Sequence, residues 1–206
     1  MDEEPGNDKA SISLTVPTAA DMRALGRSLS TALRAGDLVI LSGGLGAGKT
    51  TLTQGIGAGL GVRGPVTSPT FVIARVHPPA PAASAGQPGA VPPDVTAGLA
   101  APRPSLVHAD AYRLGSAAEL DDLDLDTDTA ASVTVVEWGE GMAEGLAADR
   151  MEIAIAAGPP GGATAADQAG LAADPAADTP RTVRISLVGA RWEGVELPLA
   201  GLANRL

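Results

Sequence analysis

Apolar residues along the chain form two kinds of pattern, namely short aliphatic runs and longer stretches with helical spacing. Continuous aliphatic runs of a few residues are typical of strands that are buried on both faces of a sheet. The last two runs flank a long segment without strand character, and we expect them to pair as an antiparallel hairpin. The strands predicted in this way cover residues 12–16, 38–41, 70–76, 106–109, 133–137, 151–156 and 183–188.

Three segments between the strands have the pattern of helices. Thr18 opens the first, with Asp21 three residues later as a capping box, and Gly36 closes it. The apolar face of this helix consists of Met22, Leu25, Leu29 and Leu33. The other two helices cover 49–60, ending at Gly61, and roughly 117–125.

The alternation of strands and helices predicts an α/β fold of three layers, with helices on both faces of a mixed, mostly parallel sheet. Two low-complexity segments, 78–104 and 158–180, are rich in proline, glycine and alanine. Such segments bury too little surface to offset the loss of chain entropy, so we predict disordered insertions there. Residues 1–10 are predicted to be a flexible tail. Residues 11–206 are therefore expected to form one domain with two insertions.

The formal charge of −10 bears on the partners of the protein. Nucleic acids are bound largely by lysine and arginine side chains that neutralise phosphates, so we expect any role near RNA to be indirect. The chain has no cysteine, no apolar stretch long enough to cross a membrane and no signal-peptide pattern at its start. We therefore expect a soluble, cytoplasmic protein with no membrane partner.

The most specific motif is the stretch GGLGAGKT at 43–50, which fits G-x-x-x-x-G-K-[ST] and has a predicted strand before it and a predicted helix after it. Glycines permit the backbone angles that turn successive N–H groups onto phosphate oxygens, and the helix N-terminus adds to this. Lys49 would bridge the β- and γ-phosphates, and Thr50 would present its hydroxyl to Mg²⁺. The motif therefore predicts a site for a nucleoside triphosphate.

Two carboxylates stand where predicted strands reach the ligand-binding edge of the sheet. Asp110 follows the strand 106–109, and Glu137 ends the strand 133–137. A phosphate loop needs such carboxylates to hold the metal or its waters. We expect at least one of them to serve Mg²⁺, and we expect Trp138, directly after Glu137, to lie near the nucleotide.

Other motifs fit known sites poorly. Alternating aspartates at 122–128 begin like a calcium loop but lack its turn glycine and closing glutamate, which favours a solvated acidic face. His108 lies in an H-x-D motif without a second histidine nearby to complete a zinc set, so we expect a structural or supporting histidine. The chain has no cysteine and no G-x-S-x-G, so a hydrolase triad is not supported.

Four motifs, in this order, resemble those of the bacterial TsaE family: GGLGAGKTT at 43–51, VTSPTFVI at 66–73, HADAYRL at 108–114 followed by Glu119 and Leu120, and VVEW at 135–138. The family comprises P-loop ATPases of tRNA threonylcarbamoyladenosine biosynthesis. The resemblance implies a three-layer P-loop NTPase fold and a weak Mg²⁺-dependent ATPase that supports a complex of TsaD and TsaB. That complex would transfer the threonylcarbamoyl group to an adenosine beside the anticodon.

The resemblance also implies roles for individual residues. Lys49, Asp110 and Glu137 would be catalytic, with Asp110 acting at the γ-phosphate. Thr50 and Glu137 would ligate Mg²⁺, and the segment 68–70 resembles the switch-like loop of the family. The residues expected to bind the nucleotide are Gly44, Leu45, Gly46, Ala47, Gly48, Lys49, Thr50, Thr51, Asp110, Trp138 and Arg181.

Three alternatives stay open or are disfavoured. A P-loop small-molecule kinase would close an arginine-bearing lid over the phosphates, and the insertion 78–104 contains only Arg103. A switch GTPase lacks support because the chain has neither N-K-x-D nor a D-x-x-G after the strand that ends at Asp110. A nucleotide-binding adaptor that never hydrolyses ATP fits the same motifs. Both insertions depart from compact TsaE proteins, and Arg181 directly follows the second one.

Overall fold

The computed structural model describes residues 11–69, 72–81, 103–114, 116–121, 130–157 and 179–199. Its strands are β1 (Ser11–Val16), β2 (Leu38–Gly43), β3 (Ala74–His77), β4 (Ser105–Asp110), β5 (Ser132–Glu137), β6 (Arg150–Ala157) and β7 (Arg181–Val188). Its α-helices are α1 (Ala19–Ser30), α2 (Lys49–Leu60) and α3 (Ala117–Asp121).

The strands form one mixed sheet in the order β1-β7-β6-β2-β5-β4-β3. The central strands β6, β2, β5 and β4 pair in parallel. The strands β7 and β3 run against their neighbours, and β1 pairs antiparallel with β7 and so runs with the central strands. This arrangement confirms the predicted α/β fold with a mixed, mostly parallel sheet, and the antiparallel pairing of β6 with β7 confirms the predicted hairpin.

The strand predicted at 70–76 is shorter than expected and begins later. The carbonyl of Pro69 accepts hydrogen bonds from the N–H groups of Val72 and Ile73 at 2.8 and 2.7 Å, which closes a turn before β3 begins. Ile73 has φ of +67°, a value incompatible with a strand. Residues 70 and 71 lie outside the described part of the chain. The aliphatic pattern therefore marked a turn and a strand as one element.

Helix α1 begins as predicted and ends sooner. The hydroxyl of Thr18 accepts a hydrogen bond from the backbone N–H of Asp21 at 3.1 Å, which confirms the N-cap. At the other end, the hydroxyls of Ser30 and Thr31 donate to carbonyls three residues earlier, at 2.7 and 2.9 Å. Such side-chain bonds compete with helix continuation, so α1 stops at Ser30 and not near Gly36.

Of the other predicted boundaries, those of α2 are confirmed, and the start of the first insertion lies within the fold. Helix α2 matches its predicted range and ends at Gly61, whose φ is +72°. Residues 78–80 belong to the fold, since the Arg63 N–H donates to the Pro78 carbonyl at 2.8 Å and the Ala80 N–H donates to the Gly61 carbonyl at 2.9 Å. The predicted low-complexity insertion therefore begins inside the described fold. The predictions for 1–10, 82–102, 122–125 and 158–178 concern residues outside the described part of the chain.

The core consists of two apolar clusters, one on each face of the sheet, so the fold has the three predicted layers. The larger cluster fills one face of the sheet beneath α1 and α2, and the smaller lies on the other face with α3 and the segment 138–147. In β5, Val133 and Val135 point to the α2 side, and Val136 points away. Strand alternation therefore places Glu137 on the α2 side as well. No helix in the described residues is long and apolar enough to span a membrane.

Helices α1 and α2 meet through glycines. A Cβ built on Gly55 would lie 2.3 Å from the carbonyl oxygen of Arg23 and 2.9 Å from the Cα of Gly26. A Cβ built on Gly26 would lie 2.4 Å from the carbonyl oxygen of Leu52. These distances are shorter than any ordinary carbon contact, so backbone lies directly against backbone. This close crossing fixes α2, and therefore the loop before it, against α1.

We predict that Gly55→Ala destabilises the protein by about 1–3 kcal/mol, the usual cost of overpacking a well-packed contact. The helix propensity of alanine alone would change stability the other way by roughly 1 kcal/mol. Urea unfolding monitored by circular dichroism measures the difference. Gly145→Ala is the matched control, because a Cβ at Gly145 meets nothing within 4 Å. A stabilising effect of Gly55→Ala would show that the helices do not approach this closely.

Candidate functional site

The loop between β2 and α2 has the backbone of a phosphate cradle. Gly43, Gly46 and Gly48 have φ of +138°, +73° and +110°, values that side chains other than glycine rarely adopt. Gly48 is the N-cap of α2, so the N–H groups of the first turn of the helix point into the loop. The positions of Cβ atoms at Gly44 and Gly46 have nothing within 4 Å, which leaves room beside the loop.

Lys49 lies at the start of α2 and is 5% exposed. Its Nζ donates to the carbonyl oxygens of Gly43 at 2.8 Å and Gly44 at 3.0 Å. The same atom lies 3.5 Å from the centre of the Trp138 ring, a cation–π contact. The ammonium group is therefore held between the loop carbonyls and an indole face.

Burial lowers the pKa of Lys49 from its ordinary value, because the charged form loses hydration. The carboxylates of Glu137 and Asp110 oppose this change. Both carboxylates are themselves buried, at 3% and 4% exposure. A buried cation thus lies near two buried carboxylates at the end of the central strands.

Strand register brings those two carboxylates together. Asp110 at the end of β4 is the partner of Glu137 at the end of β5, and β5 lies directly between β4 and β2. Both side chains point to the side of the sheet where α2 begins, as alternation from Leu106 and Val133 requires. Both acids therefore lie at the same edge of the sheet as the end of β2, where the glycine loop begins.

Glu137 is the centre of a hydrogen-bond network that joins α2 to the sheet. The Thr50 hydroxyl lies 2.9 Å from Oε1 and 3.1 Å from Oε2 of Glu137. His108 Nε2 lies 2.7 Å from the same Oε1. Hydroxyl and carboxylate oxygens are the hard ligands that Mg²⁺ prefers. The pair of Thr50 and Glu137 therefore fits a magnesium ion that also binds phosphate oxygens.

Asp110 is fixed by backbone contacts. Its Oδ1 accepts from the N–H of Tyr112 at 3.0 Å, and this carboxylate caps the short 3-10 turn Ala111–Arg113. Its own N–H donates to the carbonyl of Ile73 at 2.8 Å. The carboxylate is therefore held at the sheet edge next to the segment that follows Pro69.

Trp138 completes one wall of the site. The residue has φ of +61°, and its N–H donates to the Leu41 carbonyl at 2.8 Å, which fixes the chain as it leaves β5. Its ring lies 5.0 Å from that of Tyr112, centroid to centroid, at a tilt of 52°. Trp138 and Ile73 are the non-glycine residues with positive φ in the described chain, and both adjoin this site. Residues with strained backbone angles often cluster at functional sites.

Of the other residues predicted to bind the nucleotide, those on the loop and α2 differ in exposure, and Arg181 lies on a more distant strand. Leu45 is 92% exposed at the tip of the loop, whereas Ala47 is buried and Thr51 is half-buried on α2. Arg181 begins β7 at the same edge of the sheet, on the α2 side by alternation from Val183, but β6 lies between β7 and β2. Arg181 is therefore placed apart from the cluster around Lys49.

His108 is a buried supporting residue, as expected, but the sequence did not identify its contact with Glu137 or the contact of Tyr112 with Trp138. The contact between His108 and Glu137 depends on the offset of two neighbouring strands, and the H-x-D spacing signalled only that His108 and Asp110 share a face. Tyr112 lies two residues after Asp110 in the same motif, and no sequence signal indicates its contact with Trp138. In the described residues no group of three or more His, Cys, Asp or Glu side chains forms a metal cluster. A metal here would depend on ligand oxygens from the nucleotide, as Mg²⁺ usually does.

An α/β fold with parallel central strands and a glycine loop between one of them and a helix is that of the P-loop class of nucleotide-binding proteins. The family model described as "Threonylcarbamoyl adenosine biosynthesis protein TsaE" matches residues 16–160. The chain belongs to the TsaE family, whose role is in tRNA threonylcarbamoyladenosine biosynthesis. Arg181 lies outside the matched residues.

Individual relatives agree with this family. A tRNA threonylcarbamoyladenosine biosynthesis protein TsaE of Streptomyces coelicolor is 50% identical over 182 residues, which cover 87% of this chain and 100% of the relative. The protein of that name from Mycobacterium tuberculosis is 46% identical over 147 residues, 68% of this chain and 76% of the relative. The crystal structure of YdiB from Bacillus subtilis has a TM-score of 0.59 at 22% identity, covering 96% of this chain and 97% of YdiB, and supports the fold.

We predict that Gly43→Ala and Gly44→Ala differ in stability. A Cβ at Gly43 would lie 2.2 Å from the Ile155 carbonyl oxygen at a φ of +138°, whereas a Cβ at Gly44 meets nothing. Gly43→Ala should lower the free energy of unfolding by at least about 1–3 kcal/mol, the cost of a strained backbone. Gly44→Ala should unfold like the parent chain in denaturant titrations. Equal losses in both variants would contradict the close approach of the loop to β6.

Proposed function

We propose that this protein is a Mg²⁺-dependent ATPase of tRNA threonylcarbamoyladenosine biosynthesis, and that its ATP cycle supports turnover of a complex of TsaD and TsaB. The observation that carries the proposal is the cluster at the end of the central strands. A phosphate cradle, a buried lysine and a hydroxyl–carboxylate pair meet there within hydrogen-bond distances. The family membership supplies the pathway.

The loop residues Gly44 to Thr51 would bind the phosphates of ATP in this proposal. Backbone N–H groups at the start of α2 donate to phosphate oxygens, and the helix dipole favours negative charge there. Lys49 has three ammonium protons, and two of them bond to the carbonyls of Gly43 and Gly44. The third can donate to a phosphate oxygen while the other two keep the side chain in place.

Thr50 and Glu137 would hold Mg²⁺ through the hydroxyl and one carboxylate oxygen. The ion supplies neutralisation of the charge that spreads over the phosphate oxygens during phosphoryl transfer. Asp110 acts at the γ-phosphate as the base that orients the attacking water, because its carboxylate is fixed at the neighbouring strand end. Trp138 shields the lysine side of the site from water, which strengthens the electrostatic interactions inside it.

Two further residues complete the proposed nucleotide site. Leu45, at the exposed tip of the loop, would contact the bound nucleotide. Arg181 reaches the nucleotide from β7, and its support is its place at the same sheet edge and on the same face as Lys49. We place Arg181 at the periphery of the site because β6 separates its strand from β2.

The link to the partner complex runs through the segment 66–73 in this proposal. The carbonyl of Ile73 binds the N–H of Asp110, and Arg75 donates to the Thr67 hydroxyl at 2.9 Å. A change at the γ-phosphate would therefore reach this segment in two steps, from the phosphate to Asp110 and from Asp110 to Ile73. The net charge of −10 disfavours direct binding of tRNA. In this proposal the structural change at the segment 66–73 therefore acts on TsaD and TsaB, in the cytoplasm.

We predict that Glu137→Gln lowers ATP hydrolysis by about 10² to 10³-fold, since the charge that holds the metal is removed while the size of the side chain is kept. Phosphate release measured against Mg²⁺ concentration reports the loss. Glu140→Gln is the matched control, because it makes the same change of charge at an exposed position three residues later. Unchanged Mg²⁺-dependent turnover in Glu137→Gln would refute the metal assignment.

We further predict that the protein raises the yield of modified tRNA above one per TsaD–TsaB complex when ATP and Mg²⁺ are present. Lys49→Ala should leave the yield at a single round, because phosphate binding is lost. Quantification of threonylcarbamoyladenosine by mass spectrometry after digestion of the tRNA measures both. A yield that stays at one round with the parent protein would exclude the proposed role in turnover.

A further inference from the structure

A buried histidine lies against the carboxylate at the centre of the site. His108 is 0% exposed, and its Nε2 is 2.7 Å from Oε1 of Glu137. The residue comes from the middle of β4, two positions before Asp110, and it points to the same face. Neither the family description nor the proposed chemistry gives this side chain a role.

The hydrogen on His108 can be assigned from its surroundings. Nδ1 has no hydrogen-bond partner in the described part of the chain. If the hydrogen were on Nδ1, a buried N–H would be unsatisfied and the lone pair of Nε2 would face a carboxylate oxygen. Both would be unfavourable, so Nε2 carries the hydrogen and donates to Glu137.

The donors around Glu137 are distributed unevenly between its two oxygens. Oε1 accepts from His108 at 2.7 Å and from the Thr50 hydroxyl at 2.9 Å. Oε2 has the Thr50 hydroxyl at 3.1 Å. A carboxylate offers about two lone-pair sites on each oxygen. The sites of Oε1 are therefore taken, and Oε2 keeps capacity for a further partner.

We propose that His108 is a positioning residue that fixes Oε1 of Glu137 and thereby presents Oε2 to Mg²⁺. The inference rests on the proposed metal role of Glu137. Metal-binding carboxylates commonly depend on hydrogen bonds of this kind, which set the orientation of the ligand oxygen. A buried histidine with an unpartnered Nδ1 costs free energy that an aliphatic side chain would not, so packing alone does not explain it.

Three substitutions separate positioning from packing. His108→Gln keeps an N–H donor at the place of Nε2, because the glutamine amide extends as far as that atom. His108→Asn places its amide at the position of Nδ1, too short to reach Glu137. His108→Leu has no donor and fills the buried space. Positioning therefore predicts that Gln rescues and that Asn and Leu do not.

The measured quantity is the affinity for a non-hydrolysable ATP analogue, determined by calorimetry in EDTA and over a series of Mg²⁺ concentrations. His108→Asn and His108→Leu should raise the Mg²⁺ concentration for half-maximal effect by about 10- to 100-fold, as loss of such supporting hydrogen bonds usually does. Affinity in EDTA should be unchanged, because the glycine loop is intact. His108→Gln should stay close to the parent protein in both conditions.

His77→Gln is the matched control. His77 is the other histidine of the chain, is 5% exposed on β3 and has an unpartnered Nε2 among the described residues. Burial lowers the pKa of His77 from its ordinary value, so a neutral glutamine replaces a neutral ring near pH 7. This variant should keep the Mg²⁺ dependence of the parent and so report the general cost of changing a buried histidine.

Three results would overturn the inference in distinguishable ways. If Glu137→Gln raises the Mg²⁺ requirement and His108→Leu does not, Glu137 binds the metal without help from His108, and only this inference fails. If neither variant changes the Mg²⁺ requirement, the metal role of Glu137 fails as well. Equal losses in His108→Gln, Asn and Leu would mark a packing role, and thermal unfolding of each variant would show the same losses.

Discussion

Parallel pairing of β5 with β2 on one side and β4 on the other is the constraint on which the site depends. The pairing aligns the ends of three strands, so the glycine loop, Glu137 and Asp110 reach the same edge of the sheet. Alternation then decides the face, and the odd-numbered positions of β5 place Glu137 on the side of α2. A slip of one residue in β5 would turn the carboxylate away from Thr50.

Burial makes this arrangement of charges both costly and useful. Lys49, Asp110 and Glu137 are each at most 5% exposed, and isolated charges at such positions would be expensive. Each is compensated by bonds to the backbone or to a neighbouring side chain. The compensating groups are already in place without a ligand, so the proposed phosphate chemistry would need little reorganisation of the site. The same low exposure strengthens the attraction between the lysine and the carboxylates.

The sequence predicted most of the fold because its buried strands and its glycine loop have strong local patterns. The range of α2 was predicted correctly since Gly48 and Gly61 mark its two ends. The end of α1 was wrong because the hydroxyls of Ser30 and Thr31 act on the backbone, which hydrophobic spacing does not reveal. The beginning of β3 was wrong because the turn at Pro69 is apolar in composition.

The residues of the candidate site could be predicted from the sequence, but the hydrogen bonds between them could not. A phosphate loop motif implies Lys49 and Thr50, and strand-end acids imply Asp110 and Glu137. The link from His108 to Glu137 joins residues on two strands whose relative offset follows from tertiary pairing alone. The family resemblance suggested roles for individual residues. The contact between His108 and Glu137 became visible only from the pairing of β4 with β5.

The crossing of α1 and α2 also limits how the protein can move. Backbone meets backbone at Gly26 and Gly55, so no layer of side chains lies between the helices that could rearrange to let one slide along the other. We therefore expect the two helices and the loop between β2 and α2 to move together. If phosphate binding is to move part of the protein, the movement would have to pass from the loop across the strand ends to Asp110 and the turn at Ile73, on the side away from α1.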